Sequence, residues 1–154
     1  MSNISRIQLV TEVGVPPERC FDLARDLDLH KRSMSHTNEE AIAGRTSGLI
    51  GFGEEVTWRA KHFGMFHTHQ ARITAFDRPR YFRDEMVAGR FKSFVHDHYF
   101  QPNGNGTLML DVLEFQSPFG ILGRIVDRCV MGAYMRRLLE RRNQLIANNA
   151  EGGV

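Results

Sequence analysis

The sequence predicts an α+β fold in which one antiparallel sheet curls against a single long C-terminal helix. Three observations predict it. A strand-like segment at the N-terminus leads directly into helical sequence. The middle of the chain is a succession of alternating segments separated by turn residues. From Ser117 to about Ala147, apolar residues recur at helical spacing. A hairpin-linked sheet with one apolar face must cover that face, and only the last helix is long enough to do so.

Each element has its own signal. Ile7, Leu9, Thr11 and Val13 alternate with more polar neighbours, so Ile4 to Val13 is a first strand. In VGVPPERCFDLARDL, Pro17 suits a first helical turn, Glu18 suits the positive helix end, and Phe21, Ala24 and Leu27 form the stripe. A second short helix around Asp28 to Ser33 follows. Glu39 to Arg45 is a strand. The glycine-rich GLIGFG after it lacks the spacing and the lysine of a phosphate loop and is predicted to be an apolar loop. Glu54 to His62 sets Val56, Trp58, Ala60 and His62 against Glu55, Thr57, Arg59 and Lys61. Beyond Gly64 a second run sets His67, His69, Ala71 and Ile73 against Thr68, Gln70, Arg72 and Thr74. Tyr81 to Val87 and Phe91 to Gln101 are further strands, and PNGNG is a strong hairpin signal before Thr107 to Phe115. The sheet should have about seven strands in all. Ser117 can cap the last helix with Pro118 at its first position, and the tail from Asn148 should fray.

The 154 residues fit one domain, expected over 1–148 with 149–154 as a flexible tail. Hydrophobic residues are 42% and charged residues 25%, an ordinary globular balance. A formal net charge of +2 offers no bulk attraction to nucleic acid, and no nucleic-acid partner is expected. The N-terminal MSNISRIQLV has no basic region followed by an apolar run, and no stretch approaches about 18 consecutive apolar residues. A cytoplasmic location without stable membrane insertion is therefore expected. Cys20 and Cys129 fall in helical, apolar surroundings, where a thiol behaves as a small buried hydrophobe rather than as half of a disulfide or metal pair. The motifs call for no cofactor and no metal, and they leave any protein partner unknown.

VPPERCFDLARDLDLH after the first strand resembles the helix-grip fold of the START-like (SRPBCC) superfamily, which includes the birch-pollen-allergen type. GEEVTWRAKHFG, HTHQARITAFDRPRYFRDEMVAGRFKSFVHDHYF and GTLMLDVLEFQSPFGILG resemble its polyketide cyclase/dehydrase-like or coenzyme-Q-binding-like bacterial branch. The resemblance spans Ile7 to Leu145. It implies a hydrophobic cavity between the curved sheet and the last helix, with a loop near its mouth where Phe52 would be a gate.

Strand parity then selects the side chains that enter such a cavity. Trp58 and His62 point inward, as do His67, His69 and Ile73, then Phe82, Asp84 and Met86, and then Phe94, His96, His98 and Phe100. The last strand is ambiguous: either Leu108, Leu110 and Val112 face inward, or Thr107, Met109, Asp111, Leu113 and Phe115 do. A one-residue bulge at Gly64 or Gly89 would invert a face. The polar belt of His67, His69, Asp84, His96, His98 and Asp111 has several readings. These groups can simply bond across strands and hold the sheet. They can orient a mostly apolar ligand, such as a polyketide, quinone or lipid-like molecule, with Trp58, Phe82, Met86, Phe94, Phe100 and Met109 around its body. They can carry cyclase or dehydratase chemistry, with His96 or His98 as general base oriented by Asp84 or Asp111. A zinc site is the remaining reading, with no matching signature. Arg136, Arg137, Arg141 and Arg142 complement the negative end of the last helix, or else form a face for a protein partner.

Overall fold

The computed structural model describes residues 3–152. Strand β1 (Ser5–Val13) is followed by helices α1 (Pro17–Ala24) and α2 (Leu27–Ser33) and a 3-10 turn at Ser35–Thr37. Six strands come next: β2 (Glu40–Gly44), β3 (Glu55–His62), β4 (Met65–Asp77), β5 (Tyr81–Ala88), β6 (Ser93–Asn103) and β7 (Gly106–Gln116). The C-terminal helix begins as α3 (Gly120–Val126), passes through a π-helical stretch at Asp127–Met131 and continues as α4 (Gly132–Gly152). All strand pairs are antiparallel, in the order β1-β7-β6-β5-β4-β3-β2. The chain between β1 and β2 leads from one sheet edge to the other, and α1 and α2 occupy that connection.

Local chemistry accounts for these boundaries. Asp26 caps α2 by accepting from the backbone N–H groups of Asp28 (2.9 Å) and Leu29 (3.2 Å). In PNGNG, Asn103 pairs with Gly106, which leaves Gly104 and Asn105 as a two-residue turn, with Gly104 at φ 59°. The β3–β4 turn consists of Phe63 (φ 52°) and Gly64 (φ 77°), between the paired His62 and Met65. A left-handed phenylalanine is unusual, and here it projects a large ring at a hairpin tip.

Bulges occur, but not at Gly64 or Gly89. The β4–β5 register shifts between Gln70 and Ala71 and again between Ile73 and Ala75, and β2 shifts between Ala41 and Ala43. Inward parity of His67, His69 and Ile73 therefore survives. On β7 the set Thr107, Met109, Asp111, Leu113 and Phe115 is buried, which resolves the ambiguity of the last strand.

The core centres on Phe21, fully buried on α1. Its ring meets Phe76 and Phe82 edge-on at 5.2 Å and Phe100 at 5.1 Å. A smaller cluster joins Ile7, Leu113, Phe115 and Leu139. The helix starts differently from expectation. Phe119 (φ 72°) precedes it, and Ser117 is bound to Asp127 through both its backbone N–H (2.9 Å) and its hydroxyl, so it is not a cap. Residues 148–152, placed by the sequence in a fraying tail, continue α4, and Ile146 and Ala150, one helical turn apart, are buried in the main core. Gly153 and Val154, the last of the expected tail, lie outside the described residues. Cys20 is buried as expected, whereas Cys129 is exposed on the half of the helix that stands away from the sheet. Among the described residues no helix is long and apolar enough to cross a membrane.

Candidate functional site

The C-terminal helix touches the sheet mainly through its second half. Leu138, Leu139, Arg142, Asn143 and Ile146 are buried there, while Ile121, Leu122, Ile125 and Val126 of the first half are exposed. A cavity of about 550 Å³ remains between the helix, α2 and the concave sheet. Its wall is largely apolar and includes Trp58, Ile73, Phe94, Leu113, Met135 and Leu138. Phe63, Phe119 and Leu122 both line the cavity and are 62%, 83% and 69% exposed, so they form its mouth.

A closed polar network underlies one wall. Asp84 on β5 pairs with His96 on β6, and His98 pairs with Asp111 on β7, so three adjacent strands present imidazoles and carboxylates to each other. His98 Nε2 lies 2.7 Å from Asp84 Oδ2, and His96 Nε2 lies 2.8 Å from Asp111 Oδ1. Arg142 reaches in from α4. It donates to Asp111 Oδ1 at 3.1 Å, to Asn143 Oδ1 at 3.0 Å and to the Ala24 carbonyl at 3.1 Å, and its other contact is His98 Nδ1 at 3.3 Å. Asn143 donates to Asp111 Oδ2 at 2.7 Å and to Thr11 Oγ1 at 3.0 Å. The two imidazoles stack at 3.7 Å, and Phe82 stacks on His98 at 4.0 Å.

These contacts assign proton positions. Asp84 only accepts, so His98 carries a proton on Nε2, while its Nδ1 faces both the Arg142 guanidinium and Asp111 Oδ1, each at 3.3 Å. Asp111 is an acceptor, so His96 carries its proton on Nε2. His96 Nδ1 is then a bare acceptor, and among the described residues no hydrogen bond reaches it, although His96 lines the cavity. Electrostatics supports this arrangement. Burial raises the Asp111 carboxyl, but the Arg142 charge and the two imidazoles outweigh it and hold it well below the carboxylate range. Burial likewise opposes ionisation of Asp84, yet the His98 hydrogen bond brings its pKa down to about 2. Burial, then the neighbouring His98, lowers His96 against the pull of Asp111, which favours the neutral ring. Asp84, His96 and His98 also offer one ligand atom each within 4.8 Å of one another. A divalent cation there would have to replace the His98–Asp84 proton beside the Arg142 guanidinium.

A second polar group lies on the β2–β3 side. His62 Nδ1 is hydrogen-bonded to the Tyr134 hydroxyl, and His67 Nε2 lies 3.2 Å from the His62 carbonyl. Burial holds both His62 and His69 below the ordinary imidazole value, with the nearby Glu39 charge opposing in part. His30 packs against Trp58 with ring centroids 4.6 Å apart and the planes tilted by 39°.

Of the residues expected at the site, Trp58, His67, His69, Phe82, Asp84, Phe94, His96 and His98 line the cavity. Asp111 is fully buried behind the two imidazoles rather than in the wall. Phe52, 68% exposed, is outside the lining, because the GLIGFG loop directs Ile50 rather than Phe52 into the cavity. Met86 is also outside it, beyond the β4–β5 bulge and against Gly89. Phe100 and Met109 lie in the solid core, next to Phe21 and Cys20 respectively. Arg136, Arg137 and Arg141 are on the surface, but Arg142 is buried and is not a helix-end cation. Sequence reasoning missed Arg142, Asn143, Tyr134 and Glu39. For Arg142 a signal existed: it sits four residues from both Leu138 and Ile146, in the apolar stripe itself.

No family model and no curated protein matches the sequence. Solved structures do match the fold. A Thermus thermophilus protein superposes with a TM-score of 0.78 at 21% identity, covering 96% of this chain and 98% of that one. The Zhui aromatase/cyclase from a Streptomyces species gives 0.76 at 14% identity, covering 96% and 94%. A START superfamily protein from Mycobacterium smegmatis gives 0.72 at 12% identity, covering 97% and 99%. With its seven-stranded curved sheet gripping one long C-terminal helix, the chain has the fold of the START-like (SRPBCC) superfamily.

Proposed function

We propose that the protein binds a small hydrophobic or aromatic molecule, of polyketide, quinone or lipid-like type, in the cavity beneath the C-terminal helix, and that it does so in the cytoplasm. The observation that carries this reading is a largely apolar cavity of about 550 Å³ whose wall includes His96, its Nε2 held by Asp111 and its Nδ1 without a hydrogen bond among the described residues. Small-molecule sites have this make-up: a few hundred cubic ångströms, mostly apolar, with a few placed polar groups. His67, His69, His96 and Asp84 would meet the polar end of the ligand, and Trp58, Phe82 and Phe94 its body. The test is organic extraction of natively purified protein followed by mass spectrometry, together with titration by the fluorescent probe anilinonaphthalene sulfonate. A stoichiometric small molecule is expected, as is probe binding that Met135→Trp, which fills the cavity, abolishes without lowering the melting temperature. Probe binding that survives in Met135→Trp places the probe elsewhere and refutes the reading.

One observation favours a second reading, an acid–base enzyme of cyclase or dehydratase type. Asp111 holds the Nε2–H of His96 and leaves Nδ1 without a hydrogen bond among the described residues, on a residue that lines the cavity, as a general base requires. One structural neighbour is itself an aromatase/cyclase. In a carrier, His96→Gln lowers affinity; in an enzyme it abolishes turnover of a bound poly-β-ketone while binding persists.

A further inference from the structure

The network around Asp111 is closed, but one buried acceptor elsewhere in the cavity is not. Glu39, immediately before β2, lines the cavity, and its side chain is only 10% exposed. Its Oε2 atom is buried and has no hydrogen-bond partner among the described residues. His30 Nε2 lies 3.3 Å away, close enough for an ionic contact but outside hydrogen-bonding geometry. The His30 ring packs against Trp58 at a tilt of 39°, with ring centroids 4.6 Å apart. A carboxylate oxygen only accepts, and a buried acceptor left unpaired is costly, so the site is complete only when a donor arrives.

We infer that Glu39 Oε2 is a second polar anchor of the ligand site, and that the ligand is an aromatic molecule carrying a hydroxyl donor at each end, one for Glu39 and one for His96 Nδ1. The inference rests on the proposed ligand-binding function and narrows its ligand class. Both anchors are acceptors, so a quinone or ether oxygen satisfies neither, whereas a phenolic hydroxyl satisfies both. A hydroxyl also leaves water at far lower cost than an ammonium, which suits a mainly apolar cavity. The two anchors lie at opposite sides of the concave face. His96 is on β6, Glu39 adjoins β2, and three strands intervene, roughly 19 Å across the strands; the register adds an offset along them, since His96 aligns through Asp84 with Ile73 and Glu40 through Arg59 with Thr68, and the curve of the sheet shortens the direct path. That separation calls for a fused-ring body rather than a single ring. Trp58, with the His30 ring tilted against it, supplies an aromatic wall on the Glu39 side of the cavity for the ligand's terminal ring.

The experiment uses anthraflavic acid, a planar tricycle with a phenol at each end, and its dimethyl ether, titrated by fluorescence into the full-length protein. The diphenol should bind wild type about 10-fold or more tighter than the ether, as expected for a hydrogen bond to a charged group. Glu39→Gln, whose amide can close on neighbouring groups, should remove most of that preference while binding the ether as wild type does. Equal affinity of the two probes for wild type, or a preference unchanged in Glu39→Gln, overturns the inference but leaves cavity binding standing. Failure of both probes to bind wild type, with anilinonaphthalene sulfonate also silent, overturns the underlying function. If Glu39→Gln fails to fold, the wild-type comparison of the two probes still decides the matter.

Discussion

Replacing Arg142 by Met should unmask the electrostatic cost of the buried network. Methionine keeps most of the length and apolar bulk of the side chain while removing the charge and its donors. Asp111, fully buried, would keep Asn143 and His96 but lose the guanidinium that is the largest influence lowering its pKa. Two unit charges about 4 Å apart in a medium of effective dielectric ~20 interact by about 4 kcal/mol. Removing one partner of a buried pair costs about 3–5 kcal/mol, a large part of the roughly 5–15 kcal/mol that holds a domain folded. The loss should depend on pH in a defined direction. In wild type the depressed Asp111 carboxyl contributes fully above its ordinary unfolded value of about 3.9 and is lost only as pH falls below it. In Arg142→Met, burial dominates and raises the carboxyl, so the folded variant takes up a proton more readily than the unfolded chain. Its deficit should therefore narrow as pH falls from about 7 to about 4.5. Urea denaturation of both proteins at the two pH values measures this. A deficit below about 1 kcal/mol near neutrality, or the same deficit at both pH values, would refute the reasoning.

Two further substitutions test the scaffold. Phe21→Ala empties the centre of the aromatic cluster and should cost about 3–5 kcal/mol by the same assay, since three rings lose their common neighbour. Gly44→Ala would place a methyl group 2.3 Å from the Glu55 carbonyl oxygen at a φ of +73°, and should lower the melting temperature by several degrees, about 2–4 °C for each kcal/mol lost; a variant as stable as wild type would show that β2 can move away freely.

The architecture was legible because it rests on short-range patterns. Alternation in Val56-Trp58-Ala60 against Arg59-Lys61, the turn in Asn103–Gly106 and the stripe through Leu138 and Ile146 each survive in the folded chain. The inward parity of His96 and His98 was equally readable, since no register shift interrupts β6. What failed depends on where curved surfaces meet. Phe100 and Met109 have the right parity, but they sit under α1, where the sheet is packed solid, and no alternation distinguishes covered from hollow stretches of one face. By sequence Glu39 is the first residue of a strand, where an acidic side chain passes as solvated, whereas β2 begins at Glu40 and Glu39 turns into the cavity wall. Arg142 was misread because a cation near a helix end has a ready local explanation, although the stripe position argued for burial.

The geometry also separates roles that composition left merged. Phe82 stacks on His98, and both of the imidazole's nitrogens face polar partners, Asp84 on one side and Arg142 with Asp111 on the other. Although the ring lines the cavity, both nitrogens are engaged in bonds that hold β5, β6, β7 and α4 together, so under the proposed function His98 is the structural imidazole. His96 shares Asp111 but keeps one nitrogen free. The closed part of the network therefore serves the open part: Arg142 and Asn143 hold Asp111, Asp111 fixes the proton on His96 Nε2, and the lone pair on Nδ1 is held in place before any ligand enters. Under the proposed function the two imidazoles therefore divide the structural and the ligand-binding role between them, and a cavity with a fixed acceptor is what a fully bonded wall makes available.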